Sequence, residues 1–125
     1  MMGIKDTGSR RTFATGAQRD RGVAKGAPHL RPVHALNALD RHMEKGAAKY
    51  EARNWEKGIP LSEFYSSATR HSEKLLAGYI DEDHAAAWLW NVACFIETRA
   101  RIAAGILPKE LDDMPTTFLG KEPTF

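Results

Sequence analysis

The sequence predicts an all-α protein whose three main helices form an antiparallel helical bundle. Apolar residues recur at spacings of three and four over residues 31–50 and 61–77, which places them on one stripe of a helix. A third segment, 82–104, starts with an acidic turn and ends at Gly105, and it is predicted to be the longest helix. No segment shows an alternation from which a strand is predicted.

Turn residues limit the predicted helices. Pro60 suits the first turn of the second helix, and Gly78 and Gly105 are typical of the residue that follows a helix. The spacing predicts these buried faces: Val33, Leu36, Leu39, Met43 and Ala47 on the first helix, and Phe64, Ala68, His71 and Leu75 on the second.

The third helix is apolar nearly all round between residues 85 and 94. Two neighbouring helices of one small chain do not easily cover such a surface, so the bundle is predicted to be completed by oligomerisation, as a homodimer or tetramer. Cys94 lies within this run and is predicted to pack in the core.

Charge and length exclude several classes of protein. The 125 residues suffice for one domain, and 18 Lys and Arg against 16 Asp and Glu give a net charge of only +2. We therefore expect neither nucleic acid nor a membrane surface as a partner. The longest apolar run, 85–96, is shorter than the roughly 18 residues of a membrane-spanning helix. A single cysteine and the absence of an apolar leader predict a cytoplasmic protein, in the host cell's cytoplasm if the protein is viral.

Composition divides the chain into three parts. Residues 1–27 form a basic N-terminal arm with six Lys or Arg and two Asp, residues 28–108 form the helical domain, and residues 109–125 form a tail with one short turn and an extended course. The arm has no apolar period and should lack a core. It is either a solvated leader or a segment whose arginines become ordered on phosphate or on a neighbouring subunit.

Two groups of residues are candidates for binding a nucleotide. The loop after the first helix holds Asn54 and Trp55 close to Lys49, which can offer a stacking face and amide hydrogen bonds to a planar ligand. The alternative is that Trp55 only fills the space between two helices. Arg70 and Lys74 lie one turn apart on the second helix, a geometry suited to a polyphosphate or to a solvated face.

Acidic and histidine side chains cluster where the third helix begins. In an antiparallel hairpin, Asp81, Asp83 and His84 approach the last turns of the second helix, which carry His71. Such oxygens suit a hard divalent cation, whereas Asp81 or Asp83 is equally suited to cap the helix. Asn91 lies on the same face as His84 within an apolar stretch, so its amide must bond to another helix or to a ligand.

The order and spacing of several short motifs resemble a phage-associated family of dATP/dGTP diphosphohydrolases, MazG-like members of the all-α nucleoside triphosphate pyrophosphohydrolases. The resemblance covers nearly the whole chain. The motifs are Lys5-Asp6-Thr7-Gly8, Thr15-Gly16-Ala17, Gly46-Ala-Ala-Lys49-Tyr50, Arg53-Asn54-Trp55-Glu56-Lys57-Gly58, Arg70-His71, Asp81-Glu82-Asp83-His84, Trp90-Asn91 and Leu111-Asp112-Asp113.

The resemblance implies a catalytic domain that hydrolyses dGTP, and in some members dATP, to the monophosphate and pyrophosphate with Mg²⁺ or Mn²⁺. Members carried by viruses with 2-aminoadenine DNA release dGMP for synthesis of the modified nucleotide. The wider superfamily binds metal through Glu-x-x-Glu and Glu-x-x-Asp pairs, and neither pair is intact here, since position 66 is Ser and position 87 is Ala.

From these motifs and the resemblance we expect the following roles for individual residues. The expected metal ligands are Glu44, Asp81 and Asp83, with His71 or His84 as a further alternative, and the expected catalytic residues are His71, Asp83 and His84. Substrate-binding residues are expected to be Lys49, Asn54, Trp55, Arg70, Lys74 and Asn91. The alternative is a non-catalytic helical adaptor, in which His71, His84 and Asp83 would face solvent without a ligand.

Overall fold

The computed structural model describes residues 8–21 and 24–116. They belong to two compact units, one ending at Arg31 and the other beginning at Pro32. The first unit contains the strands β1 (Arg10–Thr12) and β2 (Gln18–Asp20) and a 3-10 turn at Pro28–Leu30. The second unit contains the helices α1 (Val33–Lys49), α2 (Leu61–Leu76) and α3 (His84–Ala103), with 3-10 turns at Asn54–Lys57 and Lys109–Leu111. The motif at Lys5–Thr7 and the predicted course of residues 117–125 lie outside the described residues.

The first unit corrects the prediction that the chain has no strand. β1 and β2 pair antiparallel, with Arg10 opposite Asp20, and the guanidinium of Arg10 lies 3.1 Å from the carboxylate of Asp20. Gly16 adopts a φ of +88° in the connecting loop, a conformation that glycine permits. Each strand has three residues, too few for an alternating pattern to stand out. None of the described residues of this unit is buried, which agrees with the expected absence of a core.

The three predicted helices are confirmed, and the C-terminal ends of α2 and α3 are closed in the same way. Gly78 follows α2 with a φ of +87°, and the N–H of Tyr79 donates to the carbonyl of Lys74 at 3.0 Å. Gly105 follows α3 with a φ of +75°, and the N–H of Ile106 donates to the carbonyl of Arg101 at 2.9 Å. Both are Schellman motifs, in which glycine supplies the left-handed residue.

The helices α2 and α3 form the core of the second unit. His71, near the end of α2, contacts His84 at the start of α3, so the two helices are antiparallel. The buried residues of this pair are Leu61, Phe64 and Ala68 of α2 and His84, Ala86, Ala87, Asn91, Cys94 and Thr98 of α3. Leu75 was predicted to be buried but is 43% exposed, because it lies in the last turn of α2, beyond the buried part of that helix.

Helix α1 packs against α3 and has no buried residue. The predicted buried stripe is wrong here: Val33 is 64% exposed, and Leu36, Met43 and Ala47 are also exposed. Of the predicted stripe only Leu39 is half-buried, and the other half-buried residues of α1 are Ala35, Ala38, His42 and Gly46. Met43 and Ala47 stay exposed because they line a cleft between α1 and α2.

The outer surface of α3 is also apolar, with Trp88 and Ile96 exposed by 44% and 54%. This exposure is what the predicted oligomer would cover, and the oligomer stays a prediction. Among the described residues no helix combines the length and the hydropathy needed to cross a membrane.

The segment after α3 returns to the start of α2. The carboxylate of Asp113 accepts hydrogen bonds from the backbone N–H of Ser62, at 2.9 Å, and from its hydroxyl. These bonds hold the pKa of Asp113 below its usual range. Pro60 occupies the N-cap of α2 and gives no side-chain cap, so the C-terminal segment satisfies this helix end instead.

Replacing Gly58 by alanine is expected to destabilise this region by about 1–3 kcal/mol. Gly58 has a φ of +112°, and a Cβ there would lie 2.9 Å from Cδ1 of Leu111. Gly46→Ala is the matched control, because Gly46 lies within α1 with open space beside it, and alanine there should stabilise by up to about 1 kcal/mol. Urea unfolding measures both. Equal midpoints for wild type and Gly58→Ala would contradict the prediction.

Cys94 is 3% exposed, which confirms its predicted place in the core, and burial raises the pKa of its thiol to about 12. We expect a thiol reagent at pH 8 to leave native Cys94 unmodified and to react after urea unfolding, because the thiolate is the reactive form. The pKa of the Cys94 thiol is higher in the folded than in the unfolded protein, so only the unfolded protein loses this proton as the pH rises above about 9. The free energy of unfolding should therefore fall above that pH. Rapid modification of the native protein would show that α3 opens.

Candidate functional site

A cleft of about 1030 Å³ opens between α1 and α2. It is lined by the second half of α1, the loop over residues 50–59, one face of α2, and Trp90 and Asn91 of α3. The lining includes seven of the residues predicted for the site: Glu44, Lys49, Asn54, Trp55, Arg70, His71 and Asn91. The fold therefore brings most of the predicted substrate-binding residues to one cavity. Lys74 is not among the lining residues.

The loop at one end of the cleft holds Trp55 in a fixed setting. Arg53 has a φ of +67° and begins the 3-10 turn Asn54–Lys57. The guanidinium of Arg101 lies 5.3 Å from the centre of the Trp55 ring, within the range of a cation–π contact. Glu56 pairs with Arg53 at 2.8 Å and with Arg101 at 3.7 Å. Trp55 is half-buried and lines the cleft, so it both packs and presents a surface to the cavity.

Two histidines meet near the other end of the cleft. The side chain of His84 is fully buried, and its Nδ1 lies 2.9 Å from Nδ1 of His71. Its Nε2 lies 2.7 Å from Oδ1 of Asp81, and this hydrogen bond lowers the pKa of Asp81. Glu82 Oε1 lies 3.6 Å from Nδ1 of His71. Burial, opposed in part by Glu82, lowers the pKa of His71, which favours the neutral imidazole at pH 7.

Among the described residues, one group of three metal-ligating side chains has its ligand atoms close together. It consists of His71, Glu82 and His84, whose ligand atoms all lie within 4.8 Å of one another. Glu44, Asp81 and Asp83, the ligands expected from the sequence, do not form such a group. Glu44 lines the cleft, Asp81 bonds to His84, and Asp83 caps α3 by accepting a hydrogen bond from the N–H of Ala86 at 3.0 Å.

Helix α3 begins at His84, and not at residue 82 as predicted, because Asp83 is its cap. The cap occupies Oδ1 of Asp83, and whether this carboxylate also binds metal stays a prediction. Asn91 is 5% exposed and donates to the carbonyl of Ala87 within its own helix at 2.8 Å. The buried amide is thus bonded as expected, although within α3 and not to another helix.

Several cleft residues escaped the sequence reasoning. Glu82 was seen only as part of an acidic turn, and its place between Asp81 and His84 at a hairpin was the available signal. Glu63 and Ser67 of α2 also line the cleft, at helical spacing from the predicted Arg70. His42 of α1 lies 5.4 Å from the Trp90 ring, and burial followed by the charge of Lys45 lowers its pKa.

The fold and the cleft define an all-α domain with a cavity lined by both charge signs and by aromatic rings. Residues 15–106 match the model of a family described as dATP/dGTP diphosphohydrolase, N-terminal. These 92 of 125 residues are about three quarters of the chain and include the whole cleft, so the chain belongs to this family. The family name indicates a diphosphohydrolase of dATP and dGTP and confirms the family expected from the motifs. The curated proteins and the solved structures contain no match to the chain.

Proposed function

We propose that the protein hydrolyses purine deoxynucleoside triphosphates, dGTP and also dATP, to the monophosphate and pyrophosphate. The observation that carries the proposal is the cleft itself, in a chain that belongs to this family. The cleft offers an aromatic and amide surface at Trp55 and Asn54. It is also lined by cationic side chains and by the pair His71 and Glu82.

The base of the nucleotide is assigned to the loop. Trp55 offers a stacking face to a purine, and the amide of Asn54 can donate to and accept from its edge. Because Arg101 and Glu56 hold Trp55 and its loop, the stacking surface is set before a ligand arrives. Asn91 lies in the same cavity and is a further candidate contact.

The phosphates are assigned to the cationic side chains. Arg70 and Lys49 line the cleft, where they can neutralise the charge that develops on departing pyrophosphate. Lys74, one turn beyond Arg70, extends the positive charge along α2. Arg70 is adjacent in sequence to His71, so the phosphate-binding and water-activating groups meet on one turn of α2.

Activation of the attacking water is assigned to the side of the cleft formed by His71 and Glu82, with His84 and Asp81 behind them. These residues would hold a divalent ion, with Mg²⁺ and Mn²⁺ as the proposed cofactors, which when bound would supply Lewis-acid activation of a water molecule and positive charge for the phosphates. The donor set fits Mn²⁺ better than Mg²⁺, because two of its three donors are imidazole nitrogens. Asp83 and Glu44 remain proposed as further oxygen ligands.

The adaptor alternative required His71, His84 and Asp83 to face solvent. Asp83 is exposed, but His84 is fully buried and His71 is 20% exposed. The arrangement therefore favours the enzyme.

A panel of the four dNTPs and the four NTPs, each with Mg²⁺ or Mn²⁺, tests the substrate class. We expect dGTP and dATP to be consumed and the pyrimidine nucleotides to remain, with the monophosphate as the nucleotide product on ion-exchange chromatography. No turnover of any purine dNTP with either metal would contradict the proposed function.

A further inference from the structure

The group formed by His71, Glu82 and His84 contains none of the three carboxylates expected as ligands, Glu44, Asp81 and Asp83, but both of the histidines that were the alternative. Two of its three donors are imidazole nitrogens, and the third is one carboxylate oxygen. Magnesium prefers oxygen ligands and keeps several waters, whereas imidazole suits first-row transition ions. The chemistry of the donors therefore indicates a different class of ion.

The hydrogen bond to Asp81 sets the state of His84. When Nε2 of His84 donates its proton to the carboxylate of Asp81, at 2.7 Å, its Nδ1 carries a lone pair. A carboxylate that holds a histidine in this way is the usual outer support of a metal-bound imidazole. The free Nδ1 points at Nδ1 of His71, 2.9 Å away. Two nitrogens on adjacent positions of an octahedral ion with bonds of about 2.1 Å lie about 3.0 Å apart, so the pair is spaced for a shared ion.

We propose that His71, His84 and Glu82 form a binding site for a divalent transition-metal ion, of the class of Mn²⁺, Co²⁺ and Zn²⁺, with Asp81 as the outer support of His84. The ligand atoms are Nδ1 of both histidines and Oε1 of Glu82. His71 and Glu82 also line the cleft, so the ligand group has an open side toward the substrate cavity. The part of this site in catalysis rests on the proposed function, whereas its binding of metal does not.

The competing explanation is a plain hydrogen bond between the two imidazoles that ties α2 to α3. In that case His71 donates from Nδ1 to His84, and no ion is bound. The two explanations differ in what happens when metal is added to protein that has been stripped of metal.

The test is a Co²⁺ titration of the metal-stripped full chain, read by visible absorption, with Zn²⁺ and Mg²⁺ as competitors. We expect one Co²⁺ per chain, displaced by equimolar Zn²⁺ and not by a hundredfold excess of Mg²⁺. Asp81→Asn should weaken Co²⁺ binding by about 10–100-fold, the usual effect of losing an outer partner. His71→Gln and Glu82→Gln should weaken it at least as much. His34→Gln, which alters an exposed histidine outside the group, should bind Co²⁺ as wild type does.

An NMR measurement on the wild-type protein tests the proposal even if the variants fail to fold. Zn²⁺ should shift the imidazole Nδ1 resonances of His71 and His84 in ¹⁵N spectra and leave those of His34 in place. Co²⁺ binding unchanged by His71→Gln, or Zn²⁺ shifts confined to other histidines, would overturn the proposal. Turnover of dGTP with Mg²⁺ by a protein that binds no Co²⁺ would overturn the metal site alone. Stoichiometric Co²⁺ binding without dGTP hydrolysis would overturn the proposed function alone.

Discussion

Glu82→Gln is expected to lower turnover of dGTP by at least about 100-fold, the scale on which enzymes lose rate when a water-activating group is removed. Glu82 is the one carboxylate in the group with His71 and His84, and it lines the cleft. Glutamine keeps the shape but not the negative charge. Because Glu82 is about half exposed, the substitution should leave the thermal midpoint of the metal-free protein nearly unchanged.

Two further substitutions of carboxylates serve as comparisons for Glu82→Gln. Glu110→Gln changes an exposed glutamate outside the cleft and should leave the rate as it is. Asp83→Asn preserves the cap of α3, since asparagine caps about as well as aspartate. The sequence predicts Asp83 as a second ligand, so its loss should lower the rate by orders of magnitude at low Mg²⁺. A normal rate for Asp83→Asn would leave it as a cap alone, and a normal rate for Glu82→Gln would remove Glu82 from the chemistry.

The second large effect is expected at Arg70. Arg70→Ala should lower kcat/KM for dGTP by about 10²–10³, because Arg70 lines the cleft and its guanidinium would neutralise developing phosphate charge. Arg70→Lys should recover part of the loss, since it keeps the charge but not the bidentate geometry.

Controls on both helices make the Arg70 result specific. Arg41 is an exposed arginine of α1 outside the cleft, and Arg41→Ala should leave the rate unchanged. Lys74→Ala tests the prediction that both cations of α2 serve the phosphates. Its loss should be smaller than that of Arg70, because Lys74 does not line the cleft. Equal rates for Arg70→Ala and Arg41→Ala would contradict the assignment of the phosphate site.

Local signals were sufficient for the helices and for part of the site. Gly78 and Gly105 ended α2 and α3 where predicted, because a left-handed residue after a helix is a local requirement. The contact of His71 with His84 also followed from the sequence, since a short connection between two helices brings the end of one to the start of the next. Periodicity predicted α1 and α2, and a long apolar run between an acidic turn and Gly105 predicted α3, without depending on distant residues.

Features that depend on distant packing were not predictable in this way. Met43 and Ala47 of α1 stay exposed because they line the cleft between α1 and α2, and their spacing contains no information about that gap. Glu82 and Asp83 are adjacent carboxylates, and only the start of α3 decides which one caps and which one joins the histidines. The three-residue strands of the N-terminal hairpin are too short to produce a period.

The proposed function requires hydrolysis of the bond between the α- and β-phosphates. ³¹P NMR of dGTP during turnover by the full chain shows directly which bond is cut. We expect the three triphosphate resonances to decline together while dGMP and pyrophosphate appear in equal amounts. Accumulation of dGDP and orthophosphate would place the cut at the γ-phosphate and contradict the account.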